Sequence, residues 1–181
     1  MVCEVCTAQF TGTLAEDRRS SGASKAEPDT DIIKAIATTH VPSVYHTDNN
    51  RDPQDLEVKF LAEGAAHKVY KISHPGLRDW FVFRVALPVN PRIKTESQAA
   101  TSVFLTEYTT IPVPQLLAYD SSADNELGYE WLLLNAVNGV SLDTVWKSLT
   151  WREKVDITME IADITHQLEN ISFDRIAGLY L

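Results

Sequence analysis

Three segments of strand character follow one another between Asp55 and Leu87, and the third of them dominates what this chain can fold into. DLEVKFLAEG (55–64) alternates, with Leu56, Val58 and Phe60 set against Glu57 and Lys59, the pattern of a half-buried strand. HKVYKI (67–72) is a second strand, after a turn of Gly64, Ala65 and Ala66. WFVFRVAL (80–87) follows the polar turn SHPGLRD and is apolar on both faces except at Arg84. Short breaks between strands favour antiparallel neighbours, so the three read as a meander with a buried third strand.

KTESQAATSVFLTEYT (94–109) then changes the period. Ala99, Ala100, Val103 and Phe104 recur at helical spacing, with Thr95 and Gln98 as a candidate capping box and Asn90-Pro91 as a rival helix start. IPVPQLLAYD (111–120) predicts a fourth strand whose prolines suit an edge or a strand entry. YEWLLLNAV (129–137) predicts a fifth, strongly buried strand. Ser141 is placed to cap a short helix, and Thr150 with Glu153 forms a capping box for a long helix to about Asn170. Its apolar positions are Val155, Ile157, Ile161, Ile164 and Leu168, with Trp146 and Trp151 as packing anchors near helix ends. The expected class is α+β, a five-stranded antiparallel sheet with one helix inserted after strand three.

Residues 1–54 read mostly as disordered, because LAEDRRSSGASKAEPDTD is polar, mixed in charge and without an apolar period. IIKAIATTHV (32–41) within that region has the spacing of a short helix. Residues 55–138 hold the sheet, and 139–181 a linker followed by helices.

The 181 residues carry a net charge of −9, which speaks against nucleic acid as a partner. No run of apolar residues is long enough to span a membrane. The N-terminus has no basic region before an apolar stretch, so the expected compartment is the cytoplasm. Cys3 and Cys6 are spaced as in metal or redox pairs, but the five histidines show no matching ligand spacing. The expectation is a tail with two thiols and no metal site.

Arg84 is the chemical question. A charge on a buried strand costs several kcal/mol unless it is paired. Glu96, early on the inserted helix, is the expected partner. One reading is a structural ion pair at the seam of sheet and helix; the other is a cation held for a ligand.

The stretches EGAAHKVYKI, WFVFRVALP, TESQAATSVFLTEYTTIPVPQLLAYD, NELGYEWLLLNAVNGVSLDTVW and FDRIAGLYL occur in this order. Together they resemble the amino-terminal half of the aminoglycoside phosphotransferase and choline-kinase-like family, fungal type. The resemblance implies a protein-kinase-like N-lobe followed by the first helices of a truncated C-lobe, and transfer of a phosphoryl group from ATP to a small-molecule hydroxyl. It implies nucleotide-binding roles for Gly64, Ala65 and Ala66 over the phosphates, and for Arg84 where such kinases usually have lysine. Glu96 would be its helix partner, Leu134 the residue behind the base, and Asn135 and Val137 the source of backbone groups for adenine. Asn135 and His67 depart from the residues frequent at those positions.

No His-Gly-Asp type motif occurs in the chain, and the segment around Phe173–Arg175 precedes the place where that loop would begin. The expectation is therefore no catalytic residue and no metal ligand here, with Mg²⁺ and a small-molecule acceptor relevant only to a longer product. Isolated, the chain is expected to be inactive in phosphoryl transfer. The alternatives are a catalytically inactive module that binds nucleotide or protein, and a fragment without a stable fold. The apolar stripe of the long helix would lack its covering lobe, an expectation of self-association.

Overall fold

The computed structural model describes residues 27–41, 55–74, 79–88, 92–175 and 178–180. Cys3, Cys6 and the remainder of the region expected to be disordered lie outside the described residues. The elements run α1 (Thr30–His40), β1 (Glu57–Glu63), β2 (His67–Ser73), β3 (Trp80–Ala86), α2 (Ile93–Tyr108), β4 (Leu116–Asp120), β5 (Trp131–Asn135), α3 (Leu142–Val145) and α4 (Trp151–Glu169).

The architecture is α+β, with one five-stranded sheet in the order β1-β2-β3-β5-β4. All four neighbouring pairs are antiparallel. The expected meander with a helix after its third strand is found. Helix α2 carries the chain past the open edge of β3, so β4 becomes the far edge and β5 returns into the slot between them. That return is fixed by a side-chain-stapled turn. Asn125 Nδ2 donates to Asp120 Oδ2 and to the Tyr129 carbonyl, each at 2.9 Å, and Gly128 takes the left-handed φ of 72° that the turn requires. The prolines of IPVPQLLAYD precede the edge strand, at its entry.

Strand side chains alternate between faces, and directly paired residues share a face. On one face Tyr70, Ile72, Phe81, Phe83, Val85, Trp131 and Leu133 form the main core with Ile33, Ala37 and Val41. Helix α1 is thus a core element, as its Ile32, Ile33, Ile36 spacing implied a helix; Asp29 caps it by accepting from Asp31 N at 2.8 Å. Phe83 stacks on Trp131 with ring centroids 5.2 Å apart. The opposite face carries Val82, Arg84, Leu132 and Leu134, for Arg84 pairs with Leu132 and Val82 with Leu134. There Leu132 and Leu134 pack with Ala99 of α2 and with Leu116 and Tyr119 of β4.

Several expectations change. Phe60 is 54% exposed instead of facing the core, because β1 is an edge strand and a register shift between Phe60 and Ala62 breaks its alternation. Thr95 does not cap α2. The helix starts at Ile93, so Thr95 lies inside it, fully buried. Arg92 occupies the N-cap position at a φ of 66°, with its backbone N–H on Glu130 Oε1 at 2.6 Å. A positive φ at a non-glycine residue costs about 1–3 kcal/mol, and the buried carboxylate of Glu130 offsets it. Ser141 stands at the N-cap of α3, but its hydroxyl bonds the Asp143 carboxylate and makes no cap. The Thr150–Glu153 capping box is present in both directions, with Thr150 N on Glu153 Oε2 at 2.7 Å and Glu153 N on Thr150 Oγ1 at 3.3 Å.

Trp151 is 80% exposed instead of packed inward, while the Lys154 ammonium lies 5.5 Å from the Trp146 ring. None of α4 is buried, and Val155, Met159, Ile161 and Leu168 are exposed. The apolar stripe thus lies open, as expected of a helix without a covering lobe. Gln167 Oε1 accepts from Thr110 N at 2.9 Å, and beyond the helix Phe173 packs on Phe104 of α2. Among the described residues no helix is long and apolar enough to cross a membrane.

Candidate functional site

The site is the part of the α2-facing side of the sheet where Arg84 sits. Pairing sets its geometry: His67 opposes Ala86 and Val69 opposes Arg84, so His67, Val69, Arg84 and Ala86 share that face. Helix α2 crosses above them. Two of its side chains, Lys94 and Gln98, are one helical turn apart and lie toward His67.

Arg84 Nη2 donates to His67 Nδ1 at 3.3 Å. An arginine only donates, so this bond puts the proton of the neutral imidazole on Nε2. That Nε2 and Gln98 Oε1 are both buried, and Gln98 acts on the ring as a hydrogen-bonding neighbour that favours its charged form. Lys94 Nζ donates to the carbonyl of Ala66 at 3.1 Å, at the tip of the β1–β2 turn. The same carbonyl accepts from Leu87 N at 2.9 Å, and Gly64 N donates to the His67 carbonyl at 2.9 Å. The turn is therefore pinned to the sheet from both sides, and the Gly64 amide is used within it.

The electrostatics are those of buried groups among positive charges. Burial, then the Arg84 and Lys94 charges, push His67 down to about 4, against a smaller opposing effect of Gln98. Burial and Arg84 also lower the proton affinity of Lys94, which the Glu130 carboxylate partly restores. Two positive side chains thus crowd a neutral histidine, with one buried carboxylate at a distance. Nearby positive charges and low dielectric both disfavour a third cation, hence the direction of each shift.

The sequence-predicted residues are only partly brought together. Glu96 is taken up by Arg92 Nε at 3.1 Å and by Ser121 Oγ at 3.1 Å, and Arg84 bonds His67. The reason is helix phase. Glu96 lies a turn after Arg92 and shares its side of α2, whereas residues 94 and 98 face His67. Gly64, Ala65 and Ala66 form the β1–β2 turn beside Leu87, whose N–H bonds the Ala66 carbonyl that Lys94 also bonds. Leu134 is buried on the Arg84 face, one same-face step along β5 from Leu132. Asn135 ends β5, its N–H bonded to the Gln115 carbonyl at 3.0 Å; the next amide, of Ala136, goes to Trp80 O at 3.0 Å. Val137 follows, half-buried, at the head of the linker.

Lys94, Gln98 and Glu130 escaped the sequence reading, which attended to the carboxylate of α2. A signal was available. Positions 94 and 98 are four apart, as are 92 and 96, so the helix presents two rival pairs. Among the described residues no group of three or more His, Cys, Asp or Glu side chains gathers as a metal site would require.

No family model matches the chain. It is similar to a Subtelomeric hrmA-associated cluster protein of Aspergillus fumigatus, at 32% identity over 126 residues, 68% of this chain and 25% of that protein. It is also similar to Altered inheritance of mitochondria protein 9, mitochondrial, of Meyerozyma guilliermondii, at 27% over 128 residues, 68% of this chain and 21% of that protein. The protein of the same name from Candida tropicalis matches at 27% over 173 residues, 83% of this chain and 28% of that protein. The chain thus spans about a quarter of the length of the curated relatives it matches.

Proposed function

We propose that this chain is the nucleotide-holding part of a kinase-like phosphotransferase, related to the aminoglycoside phosphotransferase and choline-kinase-like family. The observation that carries the reading is the placement of Arg84. A cation stands mid-strand on the helix-covered face of an antiparallel sheet, below a small-residue turn and one same-face step from the buried Leu134. On this reading the ATP phosphates lie at Arg84 beneath Gly64, Ala65 and Ala66. The base lies toward Leu134, Asn135 and Val137. Glu96 acts indirectly, by fixing Arg92 and Ser121 at the start of α2 and the end of β4.

Phosphoryl transfer also needs a carboxylate to orient the acceptor hydroxyl and ligands for Mg²⁺. Among the described residues no such ligand set gathers. The proposal assigns that chemistry, and the small-molecule acceptor, to sequence such as the part of the relatives that this chain does not cover. A second reading, an inactive module that binds a partner or itself, is favoured by the exposed apolar residues of α4. The expected cytoplasmic compartment has a rival, since the Meyerozyma and Candida relatives carry the word mitochondrial in their names. Fractionation of cells expressing the tagged protein separates the two.

The test of the nucleotide reading is thermal unfolding with and without ATP. A midpoint that rises with ATP concentration, and no longer does so in Arg84→Ala, is the expected result. A folded protein whose midpoint ignores millimolar ATP contradicts it.

A further inference from the structure

We propose that Lys94 is a positioning residue: from the first turn of α2 it holds the β1–β2 turn by the Ala66 carbonyl, so that the turn is ordered before a phosphate reaches it. The proposal rests on the nucleotide reading for what the turn receives. That Lys94 sets the order of the turn stands on the geometry alone.

A lysine has a long stem, and near a surface it ordinarily carries its ammonium out to water. Lys94 does the reverse. It is half-buried, and its Nζ donates to the Ala66 carbonyl at 3.1 Å, across 28 residues of sequence. The charge is disfavoured there, since burial and then the Arg84 guanidinium lower its proton affinity, with the Glu130 carboxylate opposing them. An ammonium kept inward against those costs is kept by the bond it makes, and a charged donor makes the stronger kind of hydrogen bond.

That bond differs in kind from the other ties of the turn. Gly64 N donates to the His67 carbonyl and Leu87 N to the Ala66 carbonyl, each at 2.9 Å, which joins the turn to β2 and to the end of β3. Lys94 joins it to a helix. The helix end that carries Lys94 is itself held. Arg92 N donates to Glu130 Oε1 at 2.6 Å, and Arg92 Nε and Ser121 Oγ both donate to Glu96 Oε1, each at 3.1 Å. The strained φ of 66° at Arg92 persists because these contacts over-determine it. The first turn of α2 is thus a bracket fixed to the end of β4 and the start of β5, and Lys94 is the arm that reaches the β1–β2 turn. A turn of one glycine and two alanines has little side chain of its own to pack, so a tie from outside decides how far it is ordered. A ligand that meets an ordered turn does not bear the cost of ordering it.

The experiment is ¹⁵N relaxation on the ligand-free 181-residue chain, wild type against Lys94→Met, followed by titration of both with ATP and with adenosine. Lys94→Met keeps most of the stem and removes the donor. The expected result is a fall of the order parameters of Ala65 and Ala66 from about 0.85 toward about 0.6, with the β3 and β5 amides unchanged. ATP affinity weakens about three- to tenfold while adenosine affinity holds. Lys94→Arg, which keeps a charged donor, restores the order of the turn. Should Lys94→Met fail to fold, Lys94→Gln, shorter and neutral, is read at the same amides. Turn order unchanged in the folded, ligand-free variant overturns the proposal; a fall in ATP affinity alongside it makes Lys94 a direct phosphate contact instead. A loosened turn that leaves ATP affinity unchanged overturns it as well. A loosened turn in a chain whose wild type binds no ATP upholds the hold of Lys94 on the turn and removes the nucleotide reading.

Discussion

Replacing Ile33 by alanine tests whether α1 is part of the fold. Ile33 is fully buried and sits with Ala37 against the face built by Phe81, Phe83 and Trp131. Truncation removes three carbons from a close-packed site, and the transfer and cavity losses together cost about 2–5 kcal/mol. A fully enclosed position with aromatic neighbours collapses poorly, so the upper half of that range is expected, about 3–4 kcal/mol. For a domain of this size the midpoint should fall by roughly 10 °C, at a few degrees per kcal/mol. The assay is paired urea and thermal denaturation followed by circular dichroism, with Ile161→Ala as control. Ile161 is 52% exposed on α4, so its truncation should change stability by less than about 0.5 kcal/mol. An Ile33→Ala cost below about 1 kcal/mol would refute the packing of α1 and return that segment to the tail.

Acid sensitivity should follow His67, whose proton affinity is lowered to about 4 in the fold and is ordinary, near 6.5, in the unfolded chain. Stability is then fully present above about 6.5 and is lost as pH falls toward about 4; the loss reaches about 3 kcal/mol and is smaller in His67→Gln, read from urea midpoints across that window. Thr150→Ala should lower stability or α4 helicity by about 1 kcal/mol equivalent through loss of the cap, visible in the far-ultraviolet signal. Glu153, lowered by its bonds to Thr150, should show an ordinary carboxylate titration by NMR in that variant. The double substitution Val155→Glu and Ile161→Glu should leave the unfolding midpoint near that of the wild type while reducing hydrophobic-dye binding and any concentration-dependent association, measured by sedimentation velocity.

The sheet was readable because its information is local. Alternation in DLEVKFLAEG, the two-sided apolar run of WFVFRVAL and the helical period after Lys94 each follow from a few adjacent residues. Strand order was not local. That β5 enters between β3 and β4 depends on where α2 delivers the chain, which no segment states by itself. The edge position of β1 and the register shift at Phe60 belong to the same class. The site was half legible for a related reason. Arg84 stands out as a charge on an apolar strand, but its meeting with His67 depends on the β2–β3 register, and which side chains of α2 face that histidine depends on the rotational phase of the helix. Two residues along a helix turn a side chain by about 200°, which sets Glu96 on the other side of α2 from Lys94 and Gln98. The burial of Ile33 and Ala37 was likewise invisible, since a short amphipathic helix does not announce what it packs against.

The most direct test of the central claim is a titration of ¹⁵N-labelled chain with ATP, followed by two-dimensional NMR. The account predicts saturable shifts confined to Gly64, Ala65, Ala66, His67, Arg84 and Lys94 for the phosphates, and to Leu134, Asn135 and Val137 for the base. Saturable shifts that map instead to α1 and the face around Phe83, or a folded spectrum that ATP leaves unchanged, would contradict it.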